Sequence, residues 1–225
     1  MLQKNKLEIQ NIKKACSITD EIFQKIISNF YFKTECELAL FIKSEIKNRG
    51  LREAFPPIVI SGPRAGNSIH PKPTNEKLKG FVIIDFGVRI NGYCSDMTRT
   101  VFVGKPNSKD KELYKLILNS KKAGEKNAKL NAKCATADAA ARNSLGRYKK
   151  YFIHTLGHGV GKRIHEKPRI YFKRGEDIFL ENMIITIEPG IYLPNKLGIR
   201  IEDTYLVSKK GVQALTHSPQ NLLVF

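Results

Sequence analysis

The chain has 225 residues, 41% of them hydrophobic and 9% aromatic, which is enough for one sizeable domain or two small ones. Its apolar runs are too short to cross a membrane, and its first ten residues lack the apolar core of a signal peptide. The four cysteines are scattered without a C-x-x-C pair, which argues against a zinc knuckle. These features predict a soluble cytoplasmic protein.

The chain is strongly basic, with 39 Lys and Arg against 21 Asp and Glu and a net charge of +18. One interpretation is attraction to RNA, ribosomes or acidic peptides. The lysines are spread along the predicted helices, however, and we expect them to lie on exposed helix faces. Nucleic acid is therefore not expected as a partner.

The first half of the chain predicts two helices followed by strands. Apolar residues recur at helical spacing over residues 4–29. A second helix is expected to begin at Thr34, with Glu37 completing a capping box, and to end at residues 48–50. Residues 56–61 then predict a strand.

The same order of elements recurs after residue 106. Ser108 is expected to cap a helix that runs to about Lys129, and residues 136–145 predict another helix. Strands are then expected at 151–156, 183–187 and 198–207. We therefore predict one domain spanning 1–225, built from similar halves at about 1–106 and 107–225.

A hairpin at residues 81–104 is the clearest local signal, because two apolar runs flank Asn91-Gly92, a pair typical of tight turns. A two-residue turn there pairs Asp85 with Thr98. Since residues two apart on a strand share a face, Asp85 and Asp96 then point the same way. Two carboxylates on one sheet face repel each other and lose hydration, so a cation is expected between them.

A second group of ligand-type residues lies at 153–166, IHTLGHGVGKRIHE, where His154, His158 and His165 fall among three glycines. Glycines allow the backbone to pass close to a site. Further on, a five-residue turn centred on Lys196 would pair Glu188 with Thr204, which places Glu202 on the same face as Glu188.

Four carboxylates from two hairpins carry a charge of −4, which two divalent cations would neutralise. Two such ions can hold a bridging water, lower its pKa and polarise a carbonyl group. Oxygen ligands with one imidazole suit Mn²⁺, Fe²⁺ or Co²⁺ at least as well as Zn²⁺. The set favours a metallohydrolase over acids with a structural role.

These motifs resemble the pita-bread-fold metallopeptidases, which include methionine aminopeptidase, aminopeptidase P and prolidase. The resemblance runs from about residue 6 to residue 224 and implies an α/β (α+β) fold, a curved and mostly antiparallel sheet with outer helices and pseudo-twofold halves. It also implies two divalent metal ions. The implied ligands are Asp85 for one metal, Asp96 and Glu202 bridging both, and His158 and Glu188 for the other, with Glu188 also the general base.

Within that family, the sequences EPGIY and RIED are similar to the Xaa-Pro enzymes. The resemblance implies that His70 and His165 contact the substrate and the intermediate, and that His154 is a further histidine of the substrate site. Arg200 matches an arginine that supports the site. Arg169 matches one proposed to hold a dipeptide carboxylate.

The expected activity is hydrolysis of the bond before proline in Xaa-Pro peptides, with a metal-bridged hydroxide as nucleophile. The chain starts directly at the catalytic helices, so we expect the family's N-terminal domain to be absent. This keeps methionine aminopeptidase, a single-domain enzyme, as an alternative. A homodimer is a possible oligomeric state. A non-catalytic relative that binds RNA or ribosomes is another alternative. Lys162-Arg163 occupies a position that is usually apolar in this family, which predicts a more cationic pocket.

Overall fold

The computed structural model describes residues 2–173 and 176–225. The predicted domain bounds of 1–225 also include Met1, Arg174 and Gly175, which lie outside the described residues. Four α-helices are described: α1 (Lys6–Ser28), α2 (Glu35–Asn48), α3 (Ser108–Asn127) and α4 (Cys134–Ser144). No helix in the described ranges is both long and apolar enough to cross a membrane.

The helix starts differ from the predicted ones in detail. Thr34 Oγ1 accepts a hydrogen bond from the Glu37 backbone N–H at 3.2 Å, as expected for an N-cap. The Glu37 carboxylate, however, accepts from the Lys33 backbone N–H, so the predicted capping box is only half formed. The third helix is capped by Asn107 and not by Ser108, because the Asn107 side chain reaches the backbone N–H three positions ahead.

Thirteen strands are described in residues 2–173 and 176–225. They are β1 (Arg52–Glu53), β2 (Ile58–Ser61), β3 (Gly80–Phe86), β4 (Val88–Ile90), β5 (Tyr93–Cys94), β6 (Met97–Val103), β7 (Gly157–Gly159), β8 (Glu166–Ile170), β9 (Ile184–Ile187), β10 (Gly190–Leu193), β11 (Leu197–Arg200), β12 (Asp203–Ser208) and β13 (Gly211–Ala214). They form sheets of order β1-β4-β5, β2-β3-β6, β10-β11 and β13-β12-β9-β7-β8. Each of these strand pairs is antiparallel.

The predicted strand at 151–156 is wrong. Residues Gly146–Tyr151 form a 3₁₀ helix, and no strand follows until β7. The guanidinium of Arg142 donates to the carbonyls of Phe152 and His154, so a side chain bonds groups that a neighbouring strand would otherwise pair. The predicted strand at 198–207 is divided into β11 and β12, and β8 and β13 were not predicted.

The first hairpin has the predicted register. Asn91 and Gly92 have φ angles of 49° and 84°, which a tight hairpin turn requires. Asp85 pairs with Thr98 across β3 and β6. The hairpin bends after Phe86, where a Cβ on Gly87 would lie 1.9 Å from the Ser95 carbonyl oxygen. This bend separates β3 and β6 from the short pair β4 and β5.

The second hairpin has a shorter turn than predicted. Leu193 pairs with Leu197, which leaves a three-residue turn with Asn195 at φ 55°. Thr204 consequently pairs with Thr186 and not with Glu188. The predicted register was therefore wrong by two residues, an even shift that leaves each side chain on its predicted face.

Each half has a large hydrophobic core, and a smaller cluster that includes Cys94 and Ile184 joins the two halves. One core, which includes Phe23 and Val82, packs α1 and α2 on β3 and β6. The other, which includes Ile117 and Ile187, packs α3 and α4 on the strands of the second half. Each half thus repeats the same plan of two helices on a hairpin, and the hairpins face each other across the middle of the molecule.

Candidate metal centre and active site

One cavity of about 820 Å³ brings together all ten side chains that the sequence singles out. The five predicted metal ligands line this cavity, and four of them are buried: Asp85, Asp96, His158 and Glu202, with Glu188 partly buried. The other five are His70, His154, His165, Arg169 and Arg200. The cavity therefore combines a largely buried acidic cluster with basic residues, of which His70, His165 and Arg169 are exposed.

Three of the acids occupy positions where a strand is interrupted. Asp96 lies between β5 and β6, Glu188 follows β9, and Glu202 lies between β11 and β12. The backbone at these breaks bonds across to the other hairpin, since the Thr204 hydroxyl donates to the Asp96 carbonyl at 2.7 Å. The Glu202 backbone N–H donates to the Thr98 carbonyl at 3.0 Å. The carboxylates are thus held in place by the junction of the two halves.

His158 lies on β7 between two glycines that permit close strand packing. A Cβ on Gly157 would lie 2.0 Å from the Thr186 carbonyl oxygen, and one on Gly159 would lie 2.0 Å from that of Lys167. Any larger residue would therefore push β7 away from its neighbours. The two glycines keep the histidine against the acids.

The imidazole of His158 is oriented as a metal ligand requires. Its Nδ1 lies 3.1 Å from the Gly159 carbonyl oxygen, to which we assign the N–H. Its Nε2 then carries the lone pair and faces Glu188 Oε1 at 3.3 Å and Asp96 Oδ2 at 3.6 Å. Burial lowers the pKa of His158, which favours the neutral form that binds metals.

Ligand atoms of Asp96, His158 and Glu202 all lie within 4.8 Å of one another. Asp85 and Glu188 surround this group from the same cavity. Burial and the nearby carboxylates raise the pKa of Asp96 and of Glu202 well above the usual range, and burial raises the pKa of Glu188 to about 8. Without a cation, these carboxyl groups therefore keep their protons to a higher pH than free carboxyl groups do.

One buried atom indicates what the cluster lacks. Asp85 Oδ1 has no hydrogen-bond partner among residues 2–173 and 176–225, although its side chain is only 8% exposed. Native proteins rarely leave such an atom unpaired. Hard oxygen donors with one neutral imidazole are the ligands that divalent Mn, Fe, Co and Zn accept. The residues therefore fit a divalent metal site.

Arg200 is the cation that the chain itself supplies to the cluster. Its side chain is 3% exposed, and its Nη2 donates to Asp85 Oδ2 at 2.5 Å. Nε donates to the Thr98 hydroxyl at 3.1 Å, and Nη1 donates to the Tyr192 hydroxyl at 2.8 Å. The single positive charge of Arg200 can neutralise only one of the four carboxylates, so further cations are needed to neutralise the others.

His154 is engaged within the protein on both ring nitrogens. Nδ1 lies 2.8 Å from the Thr155 carbonyl oxygen, and Nε2 lies 3.0 Å from the Tyr192 hydroxyl. Burial, with a contribution from Arg200, lowers the pKa of His154 to about 3, so the ring is neutral. Burial raises the pKa of Tyr192 to about 12, so its hydroxyl keeps the proton that it donates to His154.

The remaining predicted residues line the solvent side of the cavity. His70, His165 and Arg169 are exposed, and the His165 ring lies edge-on to His158 with centroids 4.5 Å apart. Burial lowers the pKa of His70 and of His165. Neither imidazole hydrogen-bonds to another residue within the described ranges, so both are available to a ligand.

The loop between β7 and β8 carries His165 and is anchored by Glu166. This carboxylate accepts from Lys4 Nζ at 2.7 Å and from the Arg163 backbone N–H at 3.1 Å. The Arg163 side chain lines the cavity as the sequence predicts, whereas Lys162 lies over the Tyr93 ring at 5.6 Å and does not. The cavity gains one cation from this pair.

Two supporting residues were missed by the sequence analysis. Tyr192 shares a face with Arg200, and the alternation along β10 and β11 could have shown this, because the two-residue register error does not change the face. Arg99 is only 1% exposed and binds Asp203 Oδ1 at 2.6 Å and the Glu202 carbonyl. Nothing in the sequence distinguishes this arginine from one on an exposed strand face.

Comparison with known proteins places this arrangement in a family. The sequence model that represents metallopeptidase family M24 matches residues 10–209, a range that includes all five predicted metal ligands. The chain belongs to metallopeptidase family M24. The resemblance inferred from the sequence motifs is confirmed.

This M24 chain is similar to proteins that are named as Xaa-Pro dipeptidases, prolidases or X-Pro aminopeptidases. It is 40% identical to an Xaa-Pro dipeptidase of Pyrococcus furiosus, with 98% of this chain and 64% of that protein aligned. A prolidase structure from Thermococcus sibiricus superposes with a TM-score of 0.94 at 38% identity, covering 100% of this chain and 62% of that one. An X-Pro aminopeptidase structure from Thermotoga maritima gives 0.94 at 33% identity, covering 100% and 65%.

These superpositions confirm the predicted α/β pita-bread fold. The chain spans 63–64% of the length of the curated relatives it matches.

Proposed function

We propose that this chain is a metal-dependent peptidase unit that hydrolyses the bond before proline in Xaa-Pro peptides. The observation that carries the proposal is the convergence of Asp85, Asp96, His158, Glu188 and Glu202 around an unpaired buried carboxylate oxygen. The names of the similar proteins favour Xaa-Pro substrates over initiator methionine.

The five residues would hold two divalent ions, with Asp85 on one ion, Asp96 and Glu202 shared, and His158 and Glu188 on the other. When bound, such ions lower the pKa of a water molecule and polarise a carbonyl group. The donor set admits Mn, Co, Fe or Zn.

The chain's own residues then divide the remaining tasks. Glu188 would accept and return a proton at its carboxylate, because that carboxylate lies in the cavity beside the other ligands and within reach of a water molecule held there. His70 and His165 donate hydrogen bonds to the peptide from the solvent side. Arg200 fixes Asp85, and Arg169 offers a guanidinium to the carboxylate of a dipeptide.

We also propose that residues 1–225 act as one catalytic domain with halves at about 1–106 and 107–225. Hydrogen bonds between the hairpins support this, since the Thr98 hydroxyl donates to Glu202 Oε2 at 2.7 Å and the Thr100 hydroxyl donates to the Arg200 carbonyl at 2.7 Å. The cavity is complete only when both hairpins are present.

The experiment is a substrate panel on protein stripped of metal and reloaded with Mn²⁺ or Co²⁺. Xaa-Pro dipeptides, Xaa-Pro-Xaa tripeptides and Met-Ala-Ser are compared, and bound metal is measured by mass spectrometry. We expect cleavage of the proline substrates and metal binding that is lost in Glu202→Gln. Glu112→Gln, an exposed acid on α3, is the matched control.

Cleavage of Met-Ala-Ser alone would replace the proposal with methionine removal. A protein that binds no metal and cleaves none of the three peptides would support a non-catalytic member of the family.

A further inference from the structure

A second cleft, of about 610 Å³, is lined by residues that the candidate active site does not use. Its rim consists of Arg147, Lys149, Lys150 and Lys173, all of them exposed. We call it the aromatic cleft, because its floor is formed by Phe152, Tyr171 and Phe172. The volume falls within the roughly 300–1,000 Å³ typical of ligand sites.

The rim is positively charged without compensation. Its lining contains no Asp or Glu, and none of the four cations has a carboxylate partner in residues 2–173 and 176–225. Lys149 Nζ bonds the neutral amide oxygen of Asn143, at 2.8 Å. Lys150 and Lys173 lie over the rings that neighbour them in sequence. Such a rim attracts a polyanion.

The floor is a fixed aromatic surface. The guanidinium of Arg142 lies 4.0 Å from the Phe152 ring centroid and 5.1 Å from that of Phe172. Asp138 Oδ2 accepts from Arg142 Nε at 2.7 Å and from the Phe172 backbone N–H at 2.9 Å, which holds these groups together. Phe172 is nevertheless 44% exposed, and the adjoining Ile153 is 62% exposed.

This cleft changes the interpretation of the positive charge. The sequence analysis treated the lysines as spread over helix faces, but the run RYKKY at 147–151 alternates cations with tyrosines. Folding adds Tyr171–Lys173 beside it. At this place on the surface, exposed cations therefore surround one exposed ring, Phe172, and the partly buried ring of Tyr171.

We propose that the aromatic cleft binds single-stranded nucleic acid. The rim cations match a phosphate backbone, and an exposed ring offers a base a stacking surface. A duplex keeps its bases stacked on each other and cannot use such a floor. The proposal does not depend on the peptidase activity, because none of these residues lies among the candidate metal or substrate ligands.

The first test measures fluorescence anisotropy of a labelled oligothymidine of about 12 nucleotides with the full chain, between about 50 and 200 mM salt. We expect Lys149→Gln/Lys150→Gln to weaken binding roughly fivefold or more. It should also reduce the salt dependence of log K by about 0.7 for each phosphate that the variant no longer neutralises. Lys122→Gln/Lys126→Gln removes the same charge from exposed positions on α3 and should bind as the unchanged protein does. Equal losses in the two variants would overturn the proposal in favour of net charge alone.

The second test removes a ring without removing charge. Phe172→Leu should weaken binding about tenfold, because a stacked base loses its aromatic partner. Its peptide hydrolysis and thermal unfolding should match those of the unchanged protein. An unaffected Phe172→Leu, or equal affinity for a duplex, for AMP or for polyglutamate, would overturn the proposal. So would a chain that self-associates through the cleft, detected by ultracentrifugation as a dimer that Phe172→Leu dissociates.

Discussion

Replacing Arg200 tests whether the acidic cluster is held together by this one cation. In metal-free protein, Arg200→Gln leaves the buried Asp85 carboxylate without its partner at 2.5 Å and removes the bond to the Tyr192 hydroxyl. Breaking a buried ion pair from one side costs about 3–5 kcal/mol of unfolding free energy. For a chain of this size that corresponds to a decrease of roughly 6–20 °C in melting temperature.

The loss should depend on pH in a defined direction. Burial and neighbouring acids raise the pKa of Asp96 and Glu202, and burial raises that of Glu188 to about 8. Folded protein therefore holds protons that unfolded protein has released, so this contribution to stability is present at low pH and is lost as the pH rises from about 4.5 to 8. Since Arg200 lowers the pKa of Asp96 and of Glu188, its removal should steepen that loss.

The assay is calorimetric unfolding at pH 6 and pH 8 in the presence of a chelator. Arg200→Lys, which keeps the charge but not the planar set of donors, should fall between the unchanged protein and Arg200→Gln. Arg52→Gln, on the exposed strand β1, is the matched control and should change stability by less than about 0.5 kcal/mol. An Arg200→Gln protein that melts within about 2 °C of the unchanged protein at both pH values would refute the argument.

Three further predictions follow from the site and its supports. Divalent metal at about 100 times its Kd should add roughly 2.7 kcal/mol to the unfolding free energy for each ion bound. Asp96→Ala should abolish this gain, both bound metals and all activity, and a variant that keeps two metals would contradict the arrangement. Tyr192→Phe should lower the free energy of unfolding by about 1–3 kcal/mol, because a donor of Arg200 and an acceptor of His154 lose their partner. Denaturant unfolding measures this loss, and an unchanged midpoint would contradict the prediction. Lys4→Met should lower kcat/KM about tenfold with metal content intact, because Glu166 loses the partner that anchors the His165 loop. Lys4→Arg should restore kcat/KM. Full activity in Lys4→Met would show that the loop does not need this anchor.

The first hairpin could be predicted to the residue because its turn is specified locally. Asn91-Gly92 permits one turn geometry, and alternation then fixes the pairing of Asp85 with Thr98. The second hairpin lacks such a pair. Asn195 adopts a positive φ that the sequence does not single out, and the register differs by two residues from the predicted one.

The supports of the site could not be predicted, because they depend on contacts between residues distant in the chain. Arg99 is buried where Asp203 and the carbonyls of Glu202, Ser218 and Pro219 from the other half accept its hydrogen bonds. The segment from Phe152 to His154 is not a strand because Arg142 bonds its carbonyls. Periodicity describes which face a side chain occupies, and it carries no information about which distant group will meet it.

The candidate metal centre and the junction of the two halves are the same structure. Thr98, from the first half, donates to Glu202 and accepts from Arg200, both from the second half. Thr204, from the second half, donates to the carbonyl of Asp96, from the first. Each acid is thus positioned partly by the hairpin that does not carry it. Neither half can form the site alone, and a cation bound there would hold the two hairpins together against the mutual repulsion of their carboxylates.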